Sequence, residues 1–218
     1  MRLVSGLVLV ITLAGCSGGQ RTAVETIVFA AFPDKRVIEA SLSPDFEYLR
    51  ARVNGRLIFL ALGYREAGLR GQDPLDVYFS ADGEVLKLWR GRIVSFVGLG
   101  KELTKAFPDG IPNWSEKPGP YRTVLDHRPS YNLGQTWLVE VVPLARPPSG
   151  NDLIGLAPGS LLWFKERLPI DAMKSGFPQT PVYAVTKSNG RDEVVYSEQC
   201  LEPKLCFSLQ RWRSSGAF

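Results

Sequence analysis

Histidine is all but missing from this chain: His127 is the only one in 218 residues. There are three cysteines, Cys16, Cys200 and Cys206. That leaves too few nitrogen and sulfur donors for a zinc-type site, so no metal and no other cofactor is expected. A Ser/His/Asp triad would have to be built on His127 beside Asp126, and no Gly-x-Ser-x-Gly elbow lies in residues 22–218. The acidic residues Glu25, Glu39, Glu66, Asp73, Asp76 and Glu102 are scattered, with no spacing that marks a glycosidase pair. No catalytic residue is therefore assigned. Runs of lysine and arginine are also lacking, which argues against nucleic acid as a partner. Nowhere is there an apolar stretch of the roughly 20 residues that a membrane-spanning helix needs.

A shorter apolar stretch does open the chain. Arg2 is followed by Leu3 to Leu13, broken only by Ser5, Gly6 and Thr12, and then by Leu13-Ala14-Gly15-Cys16. This is the order of a signal peptide, with a basic start, an apolar middle and small residues at the cut. A cysteine at the first mature position supplies the thiolate for lipid transfer. Residues 1–15 are thus expected to be a signal peptide and Cys16 the lipidated (palmitate-bearing) anchor. Residues 16–21 are expected to form a tether, with 22–218 a single periplasmic domain. Ser17 stands where an aspartate would mark inner-membrane retention, so the sequence is similar to the outer-membrane-sorted class. Ser17 to Arg21 reach at most roughly 17 Å, which keeps the domain near its membrane, facing the periplasm.

Loss of residues 1–15 removes Arg2 and no acid, so 26 basic and 22 acidic residues become 25 and 22. The mature charge of about +3 is small and dispersed. Cys200 and Cys206, separated by a short segment containing Pro203, are expected to form a disulfide in an oxidising compartment.

The domain reads as strands and turns. Thr22 and Glu25 form a capping box ahead of Val24, Ile27, Val28 and Ala31, which predicts one short N-terminal helix. Leu49, Ala51 and Val53 alternate with Tyr48, Arg50 and Arg52, a half-buried strand. Asn54-Gly55 predicts a type I′ hairpin turn, and Leu57 to Leu62 returns as a strand buried on both faces. Val77–Ser80, Val85–Trp89 and Arg92–Val97 follow, joined by turns at Asp82-Gly83 and Arg90-Gly91. Later strands are read at Thr136–Val142, Ser160–Lys165, Val182–Lys187, Glu193–Ser197 and Cys206–Arg211. Phe107–Pro120 and Pro143–Pro158 read as long loops, and Lys101–Phe107 and Ile170–Ser175 as short helices. The fold class is all-β, an antiparallel sandwich or a barrel-like domain.

The segment from Tyr48 to Leu99 resembles the YjbF/GfcB-type lipoproteins of capsule and exopolysaccharide operons. The resemblance rests on an aromatic-x-Ser-x-Asp-Gly turn and a Gly-Arg-Ile-Val strand closing on Gly-Leu. Here these are Tyr78, Phe79, Ser80, Asp82, Gly83, Leu86, Leu88, Gly91, Arg92, Ile93, Val94, Gly98 and Leu99. The family more often carries Trp where this chain has Phe79. Tyr183 to Cys200 is similar to the family's closing hairpin. The resemblance implies a non-enzymatic outer-membrane accessory factor in polysaccharide export. It also implies as neighbours an outer-membrane β-barrel protein and a periplasmic β-grasp protein, with polysaccharide itself a further possible partner.

Two other functions stay open: a lipoprotein holding a lipid or glycan in a β cavity, and a polysaccharide-modifying hydrolase. An enclosed apolar cavity would favour the first, a carboxylate pair in a cleft the second. Among single residues, Asp82, Gly83 and Gly91 read as turn chemistry. Arg92 reads as a residue that simply flanks a strand or, more sharply, as an ion-pair anchor or a contact for an acidic sugar. Trp114, in the Pro/Gly-rich loop, is the one tryptophan expected to be exposed as a stacking platform.

Overall fold

The computed structural model describes residues 42–68, 73–106, 111, 113–114, 119–128, 132–169, 180–188 and 190–213. Cys16, the expected N-terminal helix and the expected helix at Ile170–Ser175 lie outside them. The barrel described below belongs to the compact unit Leu42–Phe218.

Twelve strands form one closed antiparallel barrel. They are β1 (Tyr48–Val53), β2 (Arg56–Glu66), β3 (Leu75–Phe79), β4 (Val85–Trp89), β5 (Arg92–Gly98) and β6 (Lys101–Ala106), then β7 (Pro120–Arg128), β8 (Asn132–Leu144), β9 (Leu162–Arg167), β10 (Val182–Ser188), β11 (Arg191–Glu202) and β12 (Leu205–Trp212). Each strand pairs with its neighbour in sequence, and β12 returns to β1 to close the ring. Of the two all-β alternatives the chain takes the barrel, whose closure removes exposed sheet edges.

Local turn chemistry sets this meander. Asn54 and Gly55 both sit at positive φ, 48° and 89°, as the expected type I′ turn requires. Arg90 and Gly91 repeat the geometry at 48° and 80°. So do Leu99 and Gly100 at 54° and 70°, and this turn overrides the helix expected at Lys101–Phe107. The chain turns straight back along β5, with Gly98 opposite Lys101, and Leu103 is buried between exposed Glu102 and Thr104. That is a period of two, hence a strand. β7 was not anticipated; it takes Pro120 at its first residue, where a missing N–H costs the ladder least.

Among the described residues, the lumen is filled by two clusters of buried side chains. Leu49, Leu60, Leu86, Ile93, Phe96 and Phe207 belong to an apolar cluster. Trp89, Val94, Trp114, Tyr121, Phe164 and Tyr183 belong to a second, aromatic one. Between them β5 and β11 meet across the lumen. The Gln199 amide donates to the Gly91 carbonyl at 2.9 Å, and the Ile93 N–H donates to Gln199 Oε1 at 3.0 Å. A Cβ on Gly91 would lie 2.4 Å from Val194 Cβ, so only glycine lets the two strands approach this closely.

Alternation along β1 puts Arg50 on the outer face, yet it is only 1% exposed. The connection after β8 lies over that outer face. Asp152 accepts from Arg50 at 3.0 Å and from Arg52 at 2.9 Å, and Gln210 exchanges hydrogen bonds with the backbone of Ile154. Leu153, Leu156 and Leu161 pack there against Trp163, Ala184 and Tyr196. Leu57–Leu62 is likewise less enclosed than expected, with Phe59 and Leu60 buried and its other residues half-buried.

Candidate functional site

The aromatic core holds a buried ion pair. Arg92, the first residue of β5, is delivered inward by the Arg90-Gly91 turn and is 2% exposed. Its Nε donates to Glu166 Oε1 at 2.6 Å. Glu166 stands on β9 two residues beyond Phe164, on the same inward face, and is 4% exposed. The Tyr183 hydroxyl, from β10, donates to Glu166 Oε2 at 2.9 Å and lies 3.3 Å from Gln199 Oε1. One carboxylate thus collects an arginine and a tyrosine, and Gln199 ties the cluster to the pinch.

Aromatic rings enclose the guanidinium. Its carbon lies 3.9 Å from the centre of the Trp114 ring and 5.3 Å from the rings of Tyr121 and Tyr183. Trp114 in turn packs on Tyr183 and Phe164, with ring centres 4.7 and 5.2 Å away. At 3% exposure Trp114 is not the surface platform expected from its loop; it is a buried lid on Arg92. The cause is energetic: a buried cation over an indole face gains about 2 kcal/mol when desolvated, and exposing the ring would forfeit that.

The electrostatics follow from enclosure and from Glu166. Burial alone would lower the Arg92 guanidinium, but the charge and hydrogen bond of Glu166 together with the Tyr121 and Tyr183 hydroxyls outweigh it, and the net shift is upward. Burial, reinforced by the negative charge of Glu166, pushes the Tyr183 and Tyr121 hydroxyls well above the usual phenol range. Both stay neutral at any physiological pH. Lys105 on β6 is lowered, chiefly by burial; Glu166 opposes the shift and Arg92 adds to it.

Arg92, Lys105, Tyr121, Glu166, Tyr183 and Cys200 line part of a cavity of about 20 Å³. That is room for a water or a carboxylate-sized group, not for an acyl chain. Glu166 is the one carboxylate among its lining residues.

The other expected residues lie elsewhere. Asp82 and Gly83 occupy the turn at the far end of β4, where Gly83 sits at φ 88° and its N–H donates to the Ser80 carbonyl. Asp82 pairs at 3.5 Å with Arg56, both exposed. Cys200 and Cys206 face each other across β11 and β12 and form a disulfide. Glu166, Tyr121, Lys105 and Gln199 were not singled out from the sequence. The Phe164-Lys165-Glu166 alternation carried the one usable signal, an acid in step with an inward aromatic.

No family model matches the chain, and no curated protein sequence matches it. A solved structure does: a hypothetical lipoprotein, YmcC, from Escherichia coli K12. It is 17% identical with a TM-score of 0.53, over 87% of this chain and 93% of that one. At that identity the likeness establishes a shared fold.

Proposed function

We propose that this protein is a lipoprotein acylated at Cys16 and held at the outer membrane facing the periplasm. There it serves capsule or exopolysaccharide export by binding rather than by catalysis. Its partners on this reading are the outer-membrane β-barrel and periplasmic β-grasp proteins of a polysaccharide operon. Three things support it: the lipobox, a fold in common with a chain titled as a lipoprotein, and the place of the Gly91-Arg92 motif. The last carries most weight. Two of the residues on which the family resemblance rests, Gly91 and Arg92, pinch the barrel and supply its buried arginine, so this part of the motif marks an architecture and not merely a turn.

The test is complementation. In a strain lacking the gene, the wild-type chain should label with palmitate, sediment with the outer membrane and restore surface polysaccharide. Cys16→Ser should leave a folded chain in the soluble periplasm and restore little. Purified protein that cleaved or modified the polysaccharide, with Glu166→Gln abolishing that activity, would overturn the binding role.

A further inference from the structure

The charges inside the aromatic core do not balance. Arg92 and Lys105 face a single carboxylate, Glu166, among the residues lining the cavity. Arg92 spends only Nε on that carboxylate; Nη1 and Nη2 are buried without an acceptor in good hydrogen-bonding geometry, the Tyr121 hydroxyl interacting with the guanidinium from beside it. Such a fork calls for an acceptor inside the cavity, because buried donors without acceptors are destabilising. The two Nη atoms form the edge that takes a carboxylate with two parallel hydrogen bonds. The Trp114 ring covers the guanidinium face and leaves in-plane approach to that edge as the bonding direction.

We propose that this cavity binds the carboxylate of an acidic ligand, end-on to the Arg92 fork, with Lys105 supplying the second positive charge. At about 20 Å³ the cavity takes the carboxylate alone. The rest of the ligand lies at the rim, where Trp137 and Leu168 are half-buried and offer an apolar, stacking edge. An acidic sugar meets both demands: a carboxylate to insert and a ring face to rest on Trp137. Assigning the sugar to an exported polymer rests on the function proposed above; the carboxylate site itself does not.

Titration calorimetry of the full acylated chain in detergent micelles decides it, with glucuronate, glucose and a short uronic-acid oligosaccharide as probes. The two acidic probes should bind and glucose should not. Arg92→Lys, which keeps the charge and loses the fork, should weaken binding about tenfold or more. Should Arg92→Lys fail to fold, Lys105→Gln at the half-buried rim gives the same reading, with weaker binding and a smaller salt dependence. Binding of glucuronate but not of the oligosaccharide would keep the site and overturn its assignment to a polymer. No binding by either acid, or equal binding of glucose, would overturn the proposal. The two readings fail separately. A chain that supports export yet binds no acid sinks this inference alone, and one that binds acid yet is dispensable for export sinks the function alone.

Discussion

The two cores of the barrel obey different rules. Around Leu60, Leu86 and Phe96 the lumen is filled by aliphatic and aromatic side chains, which stabilise by leaving water and need no particular partner. Around Arg92 and Glu166 the same sheet buries an ion pair and tyrosine hydroxyls, with a half-buried lysine, Lys105, beside them. A buried pair is costly to desolvate, and well-packed apolar residues of similar volume are often neutral or more stable. The apolar core therefore accounts for the fold. The charged core is the half that needs a reason beyond stability, and recognition of an acidic group supplies one.

The pinch between them is the most sensitive point. Gly91→Val would place a β-branched residue at φ 80° and drive its Cβ into Val194, for a loss of roughly 3–6 kcal/mol from strain and overpacking together. Gly83→Val shares the positive φ but meets nothing within 4 Å, so it should cost about 1–3 kcal/mol. Denaturant unfolding of both variants separates the two effects, and equal losses would mean that the β5–β11 contact contributes nothing.

Within the charged core, Glu166→Gln leaves a buried guanidinium without its countercharge and should lose about 3–5 kcal/mol. Leu86→Ala in the apolar core should lose about 2–5 kcal/mol by cavity formation alone. Denaturant unfolding measures both losses, and an unchanged midpoint for Glu166→Gln would mean that the buried guanidinium needs no countercharge.

How far these features could be read from the sequence depended on distance along the chain. Hairpins announced themselves because their causes are local: Asn54-Gly55, Asp82-Gly83 and Arg90-Gly91 set register within a few residues, and β4 ran from Val85 to Trp89 as expected. β6 was misread because the turn at Leu99-Gly100 was missed, and β7 because its Tyr121-Thr123-Leu125 alternation sits behind a Pro/Gly-rich stretch. The site was hidden by long-range pairing. Glu166 lies 74 residues from Arg92, and Asp152 lies 102 from Arg50. Only the closed ring brings either pair together, so the covering of Arg50 on its outer face, and the burial of Trp114, could not follow from alternation or loop composition.

The outer strap gives the smallest effect. Burial by itself would raise the Asp152 carboxyl, but hydrogen bonds from Arg52 and Arg50 and their charges outweigh it and hold it below the usual value. A depressed carboxyl adds stability above its unfolded pKa of about 4 and loses it as pH falls through the lower folded value. Asp152→Asn should therefore cost about 1–2 kcal/mol at neutral pH and almost nothing near pH 2. Melting curves across that range check the sign.

The claim that the charged core serves recognition and not stability meets its most direct test in a barrel without the buried ion pair. Arg92→Met combined with Glu166→Gln removes both members of the pair while keeping their volume. Melting temperature and surface polysaccharide are then measured in parallel on the full acylated chain. The account predicts a melting temperature near or above that of the wild type, with export lost. A double variant that no longer folds, or one that folds and exports as well as the wild type, would contradict it.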